Sequence, residues 1–201
     1  MFDSRLAPLA SRLLEPLARP LAARGIRADQ VTLAGFGLGC LAVPLLAAGQ
    51  FEWALVAIGL NRIGDGLDGT LARLQGPTNR GAFLDIALDF AFYALVVLGF
   101  ALADPEANAL PAAVLLAAFI GTGSSFLAFS VIAERTSLLS QAFGNKGIFY
   151  LGGLTEGAET IAFFVLCCLW PEGFPLLAYV FALACLLTTL TRWWEGYRCF
   201  R

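Results

Sequence analysis

Four aspartates, Asp65, Asp68, Asp85 and Asp89, lie inside otherwise apolar sequence between residues 61 and 89. Asp65 and Asp68 are three residues apart and Asp85 and Asp89 four apart, so on helices each pair shares one face. Between the pairs, residues 75–81 read as a turn from their Gly and Pro content. Two antiparallel helices joined there bring all four carboxylates to a common depth, about 12 Å below the turn at 1.5 Å per residue. Four carboxylates that close cannot all stay ionised in an apolar setting without positive charge between them. A pair of divalent ions meets that need. Hard carboxylate oxygens with no thiolate or imidazole beside them suit Mg²⁺, Mn²⁺ or Ca²⁺, and the chain has no histidine to offer zinc.

A two-metal site near a membrane surface suits phosphoryl-type chemistry, in which the ions neutralise a diphosphate and the departing oxygen. Gly66 and Gly69 flank Asp68, where small residues would let a bulky ligand approach the helix backbone. Arg73, one turn further on, can counter phosphate charge. Competing readings of the same acids are a cation or proton pathway through a bundle, with the protein a transporter, and a purely structural polar core. Neither accounts for the glycines and the arginine beside them.

The elements that must position these residues are apolar helices. The 201 residues are 59% hydrophobic and mean hydropathy is +0.76, which describes an all-α integral membrane protein of one domain. Residues 1–28 form an interfacial segment: Leu6, Leu9, Leu13, Leu14, Leu17 and Leu21 oppose Arg5, Arg12 and Arg19 at helical spacing, with Pro8, Pro16 and Pro20 expected to break or kink it. Residues 29–201 form a six-helix transmembrane bundle, with spans expected at about 30–49, 52–74, 81–103, 109–133, 147–170 and 174–194. The first is rich in Gly and Ala, which permits close helix contact. No apolar signal-peptide core precedes residue 30. The five cysteines show no metal-ligand spacing and read as small packing residues.

Charge placement orients the bundle. Arg73, Arg80, Arg135, Lys146, Arg192 and the N-terminal arginines fall on one side, whereas the loops near 49–52, 104–106 and 170–172 carry no Lys or Arg. The positive-inside bias therefore puts both termini and the aspartates at the cytoplasmic face. Membrane lipid is the expected surrounding, and no nucleic-acid partner is expected.

The run from Asp65 through Arg73, then Gly81, Asp85 and Asp89, matches without a gap the pattern D-x-x-D-G-x-x-A-R, loop, G-x-x-x-D-x-x-x-D. In this the chain resembles the CDP-alcohol phosphotransferases, also called CDP-alcohol phosphatidyltransferases, and most closely their bacterial phosphatidylinositol-phosphate synthase-like branch. The resemblance implies a homodimer in the bacterial inner membrane, using two ions, Mg²⁺ or Mn²⁺. It also implies attack of an alcohol hydroxyl on a CDP-linked donor, with release of CMP. Asp65, Asp68 and Asp85 then correspond to metal ligands, and Asp89 to both a ligand and the catalytic base. Gly69, Ala72, Arg73, Thr78 and Gly81 correspond to donor contacts. So does the stretch Asp29, Gln30, Val31 and Thr32, where helix capping by Asp29 and Thr32 is the competing role.

The acceptor is the least constrained part. Branches with phosphorylated acceptors place arginines around the fifth span, but residues 152–160 here carry Glu156 and Glu159 and no arginine. Glutamates would repel a phosphate and suit an amine or a neutral polyol. Arg135 and Lys146 are the remaining cationic candidates for an acceptor phosphate. The short chain favours CDP-diacylglycerol as donor. A soluble CDP-alcohol acting on diacylglycerol and an inactive lipid-binding scaffold are the alternatives within the family.

Overall fold

The computed structural model describes residues 3–135 and 153–200, and among them every regular element is helical. α1 spans Asp3–Ala23, α2 Ala28–Cys40, α3 Ala42–Ala47, α4 Phe51–Gln75, α5 Asn79–Ala103 and α6 Pro105–Arg135. α7 spans Gly157–Leu169, and a 3₁₀ turn at Pro171–Gly173 leads into α8, Phe174–Cys199. Among the described residues, four stretches are long and apolar enough to cross a membrane: Ala28–Ala47, Asn79–Ala103, Pro105–Arg135 and Pro171–Cys199. α4 matches α5 in length at 25 residues, but its charged residues set it apart. α7 has only 13 residues, and residues 147–152 of the expected fifth span lie outside the described residues.

The second and third expected spans correspond to α4 and α5. The expected first span is divided at Leu41, whose N–H turns back to Leu38 O at 3.2 Å. Pro44 lacks a donor and its ring crowds the carbonyl four residues back, which ends α2 at Cys40. The fourth begins four residues early because Asp104-Pro105 starts a helix well. Pro105 fits the first position, and Asp104 Oδ1 accepts from Ala107 N at 3.1 Å. α1 also departs from expectation, since its prolines do not break it. Pro16 and Pro20 are four apart and both exposed, while Ala18 on the opposite side is fully buried. The lost hydrogen bonds therefore fall on the outer face, and packing on α4 holds the inner one.

Small residues let the helices meet backbone to backbone. A Cβ on Gly35 of α2 would lie 3.3 Å from Gly64 Cα of α4, and one on Gly39 would collide with Asn61 and Phe92 at 2.8 Å. This fulfils the close contact expected of the Gly-rich first span. The apolar core lies toward the end of the bundle away from the 76–78 turn. Phe100 stacks on Phe174 at 4.8 Å and on Phe51 at 6.3 Å, and Phe163 stacks on Phe181 at 4.6 Å. In the apolar helices, hydroxyls satisfy themselves on carbonyls one turn back, as Ser130 does on Phe126 and Thr189 on Cys185. All five cysteines are free. On the outside of α8, Leu176, Val180, Leu183, Leu187 and Leu190 form an exposed stripe.

Candidate active site

The α4–α5 hairpin is built by its turn. Gly76 adopts φ +95°, which favours glycine, and Thr78 caps α5 by accepting from Gly81 N at 3.0 Å. From that turn the two helices run side by side and bring Asp65, Asp68 and Asp85 together. One carboxylate oxygen from each lies within 4.8 Å of the others. Asp68 is only 5% exposed, and its Oδ2 is buried with no hydrogen-bond partner among the described residues. A buried carboxylate oxygen without a partner is costly unless a cation meets it. Three hard oxygen donors with one such orphan fit a divalent ion of the Mg²⁺ or Mn²⁺ type.

Asp89 lines the same cavity but is engaged differently. Its Oδ1 accepts from Arg62 Nη2 at 2.7 Å, and its Oδ2 accepts from the Tyr93 hydroxyl at 3.3 Å. Arg62 Nη1 also reaches Asp65 Oδ2 at 3.5 Å and the Tyr93 oxygen at 3.3 Å. The guanidinium is fixed from behind, where Asn61 Oδ1 accepts from Nε at 2.9 Å and from Nη2 at 2.5 Å. Buried Asn61 in turn donates to Gly35 O at 3.1 Å. The rings of Phe92 and Tyr93 stand 5.2 and 5.5 Å from the guanidinium carbon. The sequence reading singled out none of Asn61, Arg62 and Tyr93 as functional. The available signal was Arg62 three residues before Asp65 and Tyr93 four after Asp89, each sharing a helix face with an acid.

The glycines beside Asp68 have separate roles. A Cβ on Gly66 would meet Leu14 Cδ1 at 2.7 Å, so this glycine admits α1 rather than a ligand. At Gly69 the nearest atoms belong only to Arg73, at 3.7 Å, and that face is open. Ala72 is half-buried on the same turn. Arg73 donates to Ser11 of α1 at 2.5 Å and to Thr70 at 3.1 Å.

The polar stretch before α2 is held against the hairpin. Gln75 donates to Ile26 O at 2.6 Å and accepts from Ala28 N at 3.3 Å. Arg27 occupies the N-cap and Gln30 accepts from its N–H, so Gln30 takes a capping role. Asp29 pairs instead with Arg80 at 2.5 Å. A Cβ on Gly81 would approach Asp29 Oδ1 to 3.3 Å, so glycine there lets α5 come close to α2. Val31 is half-buried in the first turn of α2. Thr32 donates to Ala28 O and lines the aspartate cavity.

The acceptor candidates lie apart. Arg135, Glu156 and Glu159 do not line the aspartate cavity, and Lys146 is outside the described residues. Glu156 and Glu159 form a capping box at the start of α7. Glu156 accepts from Gly153 N at 2.9 Å, and Glu159 accepts from Glu156 N at 3.1 Å. Their carboxylates thus satisfy helix-end donors that would otherwise be orphaned.

The chain is similar in sequence and in fold to known proteins. The chain is 53% identical over 197 residues to the inner membrane protein YnjF of Escherichia coli, covering 98% of this chain and 96% of that one. A phosphatidylinositol phosphate synthase of Streptomyces avermitilis is 40% identical over 94 residues, 46% of this chain and 38% of that one. In fold, the chain matches the phosphatidylinositol phosphate synthase of Mycobacterium tuberculosis crystallised with CDP-DAG. That match has a TM-score of 0.66 at 24% identity, covering 92% of this chain and 94% of the other. The same synthase is also known in complex with manganese and citrate, with a TM-score of 0.65 at 23% identity and coverage of 92% and 88%. The family described as CDP-alcohol phosphatidyltransferase matches residues 26–193, nearly the whole helical bundle together with its aspartate hairpin, and the chain belongs to that family.

Proposed function

We propose that the protein transfers a phosphatidyl group from CDP-diacylglycerol to the hydroxyl of a small alcohol, forming a phospholipid and releasing CMP. The observation that carries this reading is the convergence of Asp65, Asp68 and Asp85, with an orphaned oxygen on buried Asp68, beside Asp89 in one cavity. Membership of a transferase family fixes the reaction class. The donor choice draws support from the CDP-DAG held by a protein of the same fold.

Asp65, Asp68 and Asp85 hold Mg²⁺ or Mn²⁺, and Asp89 contributes to a second ion. The bound metal supplies charge neutralisation of the diphosphate. Asp89 takes the proton from the acceptor hydroxyl. The acceptor oxygen bonds to the phosphorus carrying the diacylglycerol, and the bond from that phosphorus to the oxygen of CMP breaks, its electron pair leaving with CMP. Arg73 offers its charge to the diphosphate from the open face beside Gly69. Thr32, at the cavity wall, contacts the donor, with Asp29, Gln30, Val31, Ala72, Thr78 and Gly81 shaping the approach to it.

The reading keeps six spans, α2 with α3 and then α4 to α8, with α1 lying in the cytoplasmic interface of a bacterial inner membrane. The exposed leucines of α1, Leu13 and Leu17, suit that surface. A homodimer belongs to the same reading, and the outward stripe on α8 offers apolar surface for lipid or a second copy. The capping box formed by Glu156 and Glu159 gives those glutamates a structural task, so the acceptor is placed only as a small alcohol.

Purified protein supplied with CDP-diacylglycerol, Mg²⁺ and a panel of free and phosphorylated alcohols tests the assignment. CMP appearing with one acceptor supports it and names the product. CMP released only from a soluble CDP-alcohol with diacylglycerol would reverse the donor, and no CMP from any CDP donor in folded protein would overturn the function.

A further inference from the structure

Asp89 is the aspartate of the four that a cation of the protein holds most closely, at 2.7 Å against 3.5 Å for Asp65. Arg62 Nη2 lies 2.7 Å from Asp89 Oδ1, and Nη1 lies 3.5 Å from Asp65 Oδ2. One guanidinium therefore bridges carboxylates of α4 and α5, where an ion held by Asp89 would have to enter. It does not sit there loosely. Asn61 accepts from two of its nitrogens and is itself tied to Gly35 O, and the Phe92 and Tyr93 rings flank it. A planar, permanently charged fork held at several points resists displacement more than a mobile surface cation does. The contrast with Asp68 is direct, because its Oδ2 has no partner among the described residues to give up.

We infer that Arg62 competes with the second metal ion for Asp89, so that the two ions bind unequally and in order. This rests on the proposed metal site. The first ion enters among Asp65, Asp68 and Asp85, where Asp68 Oδ2 has no partner among the described residues to give up and the protein cation stands off at 3.5 Å, from Arg62 Nη1 to Asp65 Oδ2. The second requires the Arg62–Asp89 pair to open. The same opening frees Asp89 Oδ1, so Arg62 is a positioning residue that keeps Asp89 occupied until the second ion arrives. In this account the site is assembled by its last cation and not by the fold alone.

The test is Mn²⁺ binding to the purified protein in detergent, without nucleotide. Free Mn²⁺ is followed by electron paramagnetic resonance and bound metal is counted by elemental analysis. The wild type is expected to take one ion at least tenfold more tightly than the second. Arg62→Gln is expected to tighten the second ion at least threefold and change the first less than that. Tyr93→Phe, which removes one partner of Arg62 and keeps the ring, is expected to shift the second ion in the same direction by a smaller factor. Two ions of equal affinity in the wild type would overturn the inference, and this needs no variant to fold. So would a second-ion affinity unmoved in a folded Arg62→Gln protein. Absence of any bound Mn²⁺ would overturn the proposed metal site itself, and the inference with it.

Discussion

Gly35 and Gly64 meet backbone to backbone where α2 crosses α4, and a Cβ on Gly64 would come within 3.0 Å of Gly35 Cα. The crossing sets the site. Thr32 lies three residues before Gly35 and Asp68 four residues after Gly64, and both line the aspartate cavity. Gly64→Ala should push the helices apart and destabilise the protein by about 1–3 kcal/mol, as overpacking does. Gly37→Ala, two residues along α2 with nothing within 4 Å of its added methyl, should stay within about 0.5 kcal/mol. Thermal unfolding in detergent with activity measured alongside checks the pair, and equal effects would contradict the crossing.

Leu14 and Gly66 form the contact that seats α1 on the aspartate helix. Gly66→Ala should therefore lower stability and activity modestly, because the Leu14 side-chain tip must move aside, and Leu14→Ala should relieve much of that loss by vacating the space. The double-mutant cycle should give a coupling of about 0.5–3 kcal/mol. Additive effects would show that Gly66 serves the ligand side instead.

Thr78 separates capping from donor binding. Its oxygen accepts from Gly81 N, so Thr78→Ala should destabilise the protein by about 1 kcal/mol and Thr78→Ser should largely restore it. A rise in donor KM with unchanged stability would assign the hydroxyl to the donor instead of the helix end.

Arg73 is held by Ser11 and Thr70 at the open face beside Gly69. Losing a charged hydrogen bond worth about 1.5–3 kcal/mol should raise the donor KM on Arg73→Ala by about tenfold or more. Unchanged donor affinity would remove its diphosphate role.

Much of the site was legible because it is local. The three- and four-residue spacings of the aspartates, with a Gly-Pro turn between them, dictate a hairpin with acids at one depth. What escaped depended on contacts between distant segments. Gly66 beside Asp68 resembles a ligand-facing glycine until α1, some fifty residues earlier, is seen to lie on it. Arg62 is visible in the sequence as a cation three residues before Asp65, but its preference for Asp89 depends on Asn61, Gly35 and two aromatic rings from three helices. Glu156 and Glu159 suggested acceptor chemistry because their spacing was read as charge, whereas the same three-residue spacing also makes a capping box. The interruption at Leu41 was available from Pro44 and was masked by the apolar run around it.

The central claim, metal-dependent transfer at the aspartate hairpin with Asp89 as base, is tested most directly by CMP release from CDP-diacylglycerol with the active acceptor. Wild type and Asp89→Asn are compared, each with Mg²⁺ and with chelator, and donor binding is measured in parallel. The account predicts CMP only from wild type with metal, while Asp89→Asn loses turnover and keeps most of its donor affinity. Wild-type turnover in chelator, or normal turnover in Asp89→Asn, would contradict it.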